Sequence, residues 1–337
     1  MTIRLGNLEP SPDMFAAVMA TGILSIGARD HHYPVVSDTL GVLATVALLV
    51  LIALALVTGA LRSWDFGDPD VTLRLFTFVA ACAVLDSRLA SHRVVLRVLG
   101  VVALTAWVVL TLFTARNMSA CRCTALRDRA HGAWELASVG TAGMAIVAAT
   151  LARHDHWWLW LAVPVWAGAL CIYLLMTWLI LWRAVNERQH REGFAPDSWI
   201  LMGGLAIGTL AGLDIQDIHA AAPAWLAGPV LGVTVFTWAA ATLWIPPLVF
   251  FGLRRIGRRP TILRFAGVWW ALVFPLGTYS AATYAMAAEI HRPSLATASL
   301  VFFWDALAAW LIVVVAGLLR LWRALGSARS DRDSGRP

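Results

Sequence analysis

Three carboxylates stand inside or at the edge of long apolar runs: Asp86 in ACAVLDSRLA, Glu135 in HGAWELASVG and Asp305 in VFFWDALAAW. An ionisable group in hydrocarbon is a functional hypothesis by default, because its charge must be paired, hydrated or neutralised by a proton. Asp305, near mid-depth of its run, is the possible proton site of a carrier that couples its substrate to protons. A structural hydrogen bond to a neighbouring helix or protomer is the other reading. Histidines gather with carboxylates: His31 beside His32, His154 and His156 flanking Asp155, and His219 near Asp214 and Asp217. These are good metal ligands, but solvated polar loops at a wet membrane face are the commoner explanation for such residues. Cys121 and Cys123 form C-x-C without further ligands, while Cys82 and Cys171 read as small buried apolar residues within spans. No H-E-x-x-H, nucleophile elbow, phosphate loop or paired mid-span histidines for haem is present. The chemistry expected is not that of an enzyme, and neither a metal nor another cofactor is called for.

Backbone chemistry stands out elsewhere, in WWALVFPLGTYSAA at 269–282. Proline removes a helix donor and glycine loosens the helix, so Pro275 and Gly277 mark a bend beside the bulky ring of Phe274.

The elements that carry these residues are membrane helices. Apolar residues make up 60% of the 337, charged ones 14%, and mean hydropathy is +0.72. About 20 apolar residues cross a hydrocarbon core, and the chain divides into ten such runs, near 14–29, 36–61, 72–89, 94–115, 132–151, 157–182, 198–217, 225–253, 266–288 and 297–322. One membrane domain therefore covers 14–324, between a cytoplasmic segment at 1–13 and a disordered cytoplasmic tail at 325–337. The start lacks the pattern of a cleaved signal.

All 26 basic residues are arginine, and all but Arg29, Arg88, Arg93, Arg97, Arg153 and Arg292 fall on one side of this topology. By the positive-inside rule both termini are cytoplasmic and the chain is a multi-pass protein of the plasma membrane. The net charge of +6 is then a topology signal rather than one of nucleic-acid binding. Trp64, Trp157, Trp158, Trp225, Trp304 and Trp322 lie near expected interfaces and read as anchors in the lipid bilayer.

Aligned on their first aromatic residue, the odd spans read FAAVMATGIL from Phe15, FTFVAACAVL from Phe76, WELASVGTAG from Trp134, WILMGGLAIG from Trp199 and WALVFPLGTY from Trp270. Seven residues on stand Gly22, Ala83, Thr141, Ala206 and Gly277, all small; the even spans are bulkier. A repeating hairpin implies quasi-symmetric packing. The fold expected is all-α, five helical hairpins in quasi-fivefold arrangement around a central pore, odd helices inner and even helices outer. Small residues also serve tight helix packing without a lumen, and patterning alone leaves both readings open. Phe274 takes the position held by Met19, Ala80, Ser138 and Gly203 in the other repeats, so a shared axis makes it a plug.

The W-W-x-x-x-F-P-L-G pattern of Trp269 to Gly277, with FAAVMATGILSIGA in the first span and five hairpins, resembles the tellurite-resistance/dicarboxylate transporter family. That family includes tellurite-resistance channel homologues, slow anion channels of plant guard cells, malate permeases and sulfite efflux pumps. The resemblance implies a homotrimer with one pore per protomer and a gating phenylalanine on the ninth helix, which Phe274 matches. Only span 9 among the inner helices carries a mid-helix proline, a departure from the family picture.

The central parts of the odd spans contain no Asp, Glu, Arg or Lys. A permeating ion would meet Thr21, Gly22, Ser138, Thr141, Gly203, Thr209 and Thr278, a weakly binding lining of the kind that conduction needs. The missing carboxylates disfavour cations, and cytoplasmic arginines concentrate anions. Transport of small inorganic anions or C4-dicarboxylates is expected, through a gated channel; a proton-coupled malate-type carrier and a tellurite or sulfite exporter are the alternatives.

Overall fold

The computed structural model describes residues 11–90, 93–186, 196–218, 224–258 and 269–333. The described residues contain helices and no strand. Ten long helices match the ten apolar runs one for one: α1 (Ala16–Asp30), α2 (Pro34–Thr58), α3 (Phe76–Arg88), α4 (Arg93–Ala120), α5 (Leu136–Ala152), α6 (Leu159–Asn186), α7 (Ile200–Gln216), α8 (Ala224–Arg258), α9 (Trp270–Glu289) and α10 (Ser294–Asp333). Seven spans among the described residues are long and apolar enough to cross a membrane. The 15 residues of α1 and the 13 of α3 are shorter than a full crossing.

Burial divides the spans. Gly132–Ala152 and Pro196–Gln216, which contain α5 and α7, are 89% and 83% buried in their most apolar stretch. The five spans that contain α2, α4, α6, α8 and α10 are only 17–33% buried. Leucine, valine and tryptophan cover their outward surfaces, as hydrocarbon permits. Each odd helix packs along the even helix that follows it, and odd helices also pack on one another: α1 on α3, α3 on α5, α5 on α7, α7 on α9, and α9 back on α1.

Local chemistry sets the ends. Pro34 opens α2, and Gly59 closes it at φ 68°, a conformation that suits glycine, with its N–H bonded to the last turn. At the opposite membrane face the turns after α1 and α9 share one design. His32 and His291 take φ 61° and 54°, and Tyr33 N–H and Arg292 N–H reach back to the carbonyls of Ala28 and Ala287 at 2.8 and 2.9 Å. Each is followed by a proline, Pro34 or Pro293, at the start of the next hairpin arm.

Indole ties join the two layers. Trp310 of α10 donates Nε1–H to Thr21 Oγ of α1 at 2.9 Å, and Trp107 of α4 to Thr141 Oγ of α5 at 3.0 Å. Trp166 of α6 donates to the Gly208 carbonyl of α7 at 2.7 Å, and Trp238 of α8 to Thr283 Oγ of α9 at 3.2 Å. In four hairpins the outer helix thus grips the inner helix of the next. Within the first and last hairpins, Ser25 and Ser37, and Ser280 and Ser299, exchange hydroxyl-to-carbonyl bonds of 2.7 to 2.8 Å.

Two expectations change. Cys171 is exposed on α6 rather than buried, because α6 belongs to the outer layer and a thiol is apolar enough for that surface. Helix α10 continues to Asp333, past the start of the expected tail at 325; residues 1–10 and 334–337 lie outside the described residues.

Candidate functional site

Helix α9 runs unbroken through Pro275. Its bonds to the outer layer fix its rotation: Tyr279 OH meets Thr242 Oγ of α8 at 2.9 Å, Thr283 accepts from Trp238, and Ser280 pairs with Ser299. At 3.6 residues per turn, Phe274 lies about 140 to 240° round the helix from these three. It shares a face with Thr278 and Ala281, pointing away from the outer helices, and it is fully buried. Thr278 Oγ donates to the Phe274 carbonyl at 2.8 Å, a back-bond that tends to bend a helix. The flanking small residues serve contacts between inner helices. A Cβ on Gly203 would meet the Pro275 ring at 3.0 to 3.1 Å, and one on Gly277 would meet Ile23 Cγ2 at 3.0 Å.

The other expected lining residues spread over several surfaces. Gly22 sits where α1 meets α3, its missing Cβ 2.7 Å from Val84 Cγ1, and Ser138 Oγ lies against Gly204 of α7. Thr21 and Thr141 accept the indole bonds given above, and Thr209 Oγ meets Thr237 Oγ of α8 at 3.0 Å. Those three hydroxyls turn to the outer layer. The structure therefore groups Phe274 and Thr278 on one inward face and does not bring Thr21, Thr141 and Thr209 to it. The indole ties involve none of the tryptophans expected at the interfaces. A signal was present: Trp107, Trp166, Trp238 and Trp310 stand inside their spans, where an indole N–H needs a partner.

Of the carboxylates, Asp305 is exposed on α10. Glu135 is fully buried at the start of α5; Oε1 accepts from Thr177 of α6 at 2.7 Å, and Oε2 has no hydrogen-bond partner among the described residues. Asp86 is buried in α3, and among the described residues neither of its oxygens has a hydrogen-bond partner. Around Glu135 lies a polar clasp that joins three loops. His131 Nε2 is 3.3 Å from Asp70 Oδ1, and Trp134 Nε1 donates to the same oxygen at 3.2 Å. Ala133 N–H donates to Asp197 Oδ2 at 3.2 Å, and a Cβ on Gly132 would lie 2.2 Å from the Asp197 carbonyl. Only glycine lets these two backbones touch. At the opposite face Arg153 approaches Asp214 and Asp217 at 3.3 and 3.6 Å; His219 lies outside the described residues.

Helices with lipid-compatible outer faces and a buried inner layer define a multi-pass membrane protein. Residues 10–318 match the family described as voltage-dependent anion channel, SLAC1, and the chain belongs to that family, part of the tellurite-resistance/dicarboxylate transporters. It is 32% identical over 164 residues to an uncharacterized membrane protein of Mycobacterium tuberculosis, covering 48% of this chain and 82% of the relative. An uncharacterized transporter of Methanocaldococcus jannaschii is 23% identical over 295 residues, 81% of this chain and 82% of that one. A second uncharacterized transporter of that organism is 22% identical over 162 residues, 47% of this chain and 46% of its own length. The family places the chain among membrane transport proteins.

Proposed function

We propose that the chain passes small anions along the axis enclosed by α1, α3, α5, α7 and α9, with five hairpins in quasi-fivefold arrangement, Phe274 as gate, and Pro275 and Gly277 as its hinge. The observation that carries this reading is the place of Phe274: a large ring on the inward face of α9, beside a proline that packs on a glycine. Rotation of one side chain, or a small bend at Pro275, would open a path closed by an apolar constriction. Inorganic anions and C4-dicarboxylates are the substrates this lining suits, since the expected path carries no fixed charge. A homotrimer, the plasma membrane and cytoplasmic termini complete the proposal, the last supported by the arginine bias.

The test is anion flux in proteoliposomes with chloride, nitrate and malate, with and without a pH gradient. Phe274→Ala is expected to raise flux several-fold with the fold retained; unchanged flux in a folded variant would sink the gate. Glu135 supports a second reading, a proton-coupled carrier, more directly than Asp305 does, because it is buried between the inner and outer layers while Asp305 is on the outside. In that case malate alone moves, only with the proton gradient, and Glu135→Gln removes the coupling.

A further inference from the structure

A cavity of about 560 Å³ lies outside the inner helices, between α4 and α6 with α5 behind it. Its walls are apolar, Leu104, Val147 and Val165 among them, and Trp107 lies at its deep end. Arg97, His154 and Asp155 stand at the other end. From Arg97 to Trp107 is ten residues of helix, about 15 Å, or half of a hydrocarbon core of about 30 Å. At about 30 Å³ per water-sized group, the volume holds roughly 19 such groups, the bulk of one long acyl chain. The cavity therefore has the depth of one leaflet and the capacity of one lipid tail.

The rim narrows the headgroup. Arg97 and Asp155 are both exposed, and among the described residues neither forms an ion pair with the other or with a third group. A guanidinium offers several N–H donors to phosphate, and a carboxylate accepts from a primary ammonium. An anionic lipid without an amine leaves Asp155 unanswered, and a quaternary ammonium has no N–H to give it. The neighbouring rings of Trp157 and Trp158, tilted against each other with centroids 4.1 Å apart, suit the headgroup level.

We propose that this crevice is a binding site for a zwitterionic aminophospholipid of the leaflet on the side of the short hairpin turns. One acyl chain descends to Trp107, the phosphate meets Arg97, and the ammonium meets Asp155. Because Trp107 is hydrogen-bonded to Thr141, the end of the tail rests on a tie to the inner layer.

The experiment uses the full chain in phosphatidylcholine vesicles that contain a trace of phosphatidylethanolamine, phosphatidylglycerol or phosphatidylcholine with a photoactivatable group at the acyl end, followed by peptide mapping. The ethanolamine lipid is expected to label the segment around Trp107 and Val147 on the order of fivefold more than either other lipid. Gly100→Trp, which fills the crevice, should abolish that labelling. Arg97→Gln and Asp155→Asn, both at exposed positions that leave folding intact, should each reduce it to the phosphatidylcholine level. Equal labelling by all three lipids, labelling indifferent to these rim variants, or cross-links between copies of the chain across this face would overturn the assignment.

Discussion

Phe274, Gly203 and His31 each expose a different force to a single substitution. A phenylalanine packed in an ordinary core costs about 3–5 kcal/mol when cut to alanine; a ring that seals a path should cost less, so Phe274→Ala pairs a rise in flux with a modest loss in thermal stability. Gly203 faces the rigid Pro275 ring with no room for a side chain. Gly203→Val should therefore destabilise by about 1–3 kcal/mol. Gly168 in α6 has open space around it, and Gly168→Ala should be neutral or gain up to about 1 kcal/mol. Unfolding midpoints of the two variants test whether glycine here serves contact or flexibility. His31 packs against Tyr284 and Phe303 and bonds Ser299 Oγ at 2.9 Å. The serine proton is used on the Ser280 carbonyl, so His31 donates from Nε2. Burial, and then the neighbouring His32, hold the His31 pKa below its ordinary 6.5. The unfolded chain then binds the proton more readily. Stability from His31 is present above pH 6.5 and is lost as pH falls below it. His31→Gln should flatten that fall in melting temperature between about pH 7 and 5; an unchanged slope would place it elsewhere.

Helices were legible in the sequence because each carries its own signal, and their rotations were not because a rotation belongs to a pair. All ten apolar runs became helices, and the small residues of the odd runs do lie inside. Whether those small residues face a lumen or a neighbour depends on where the neighbour stands, and Gly22, Gly203 and Gly277 turned out to face neighbours. The same blindness affected Thr21, Thr141 and Thr209, hydroxyls on inner helices whose partners sit on outer ones. Phe274 stands out in the sequence because its bulk breaks the repeat, and its buried place on α9 is what the proposed gate rests on. The indole ties give this scale its prediction. Trp107→Phe and Trp310→Phe keep most of the ring and remove the donor, so each should cost about 0.5–1.5 kcal/mol. As they act on different hairpins, the double variant should sum to within about 0.5 kcal/mol. A large coupling between them in thermal or denaturant unfolding would mean that one tie holds the other in place.

For the whole molecule, Asp305 poses the sharpest question of what surrounds the chain. It is 11 residues into α10, about 16 Å along the helix, and in a crossing by the Ser294–Arg320 span it falls two residues from the centre, so Trp304 beside it is not the interfacial anchor expected of it. Exposed there next to Trp304, a carboxylate facing lipid costs about 2.5–3.5 kcal/mol or more. The apolar surface around it can face lipid without penalty, but this group cannot. A second copy of the chain that covers Asp305 and supplies a donor removes the cost, in keeping with the proposed homotrimer. The mass of the protein in mild detergent, measured by light scattering, should accordingly be that of three chains. Asp305→Leu then deletes a polar contact at the seam and should shift the population toward single chains, whereas Asp305→Asn, which still accepts a hydrogen bond, should hold the assembly. If the wild type is monomeric, or if Asp305→Leu raises the melting temperature without changing the mass, the carboxylate faces lipid after all, and its cost is one the fold carries.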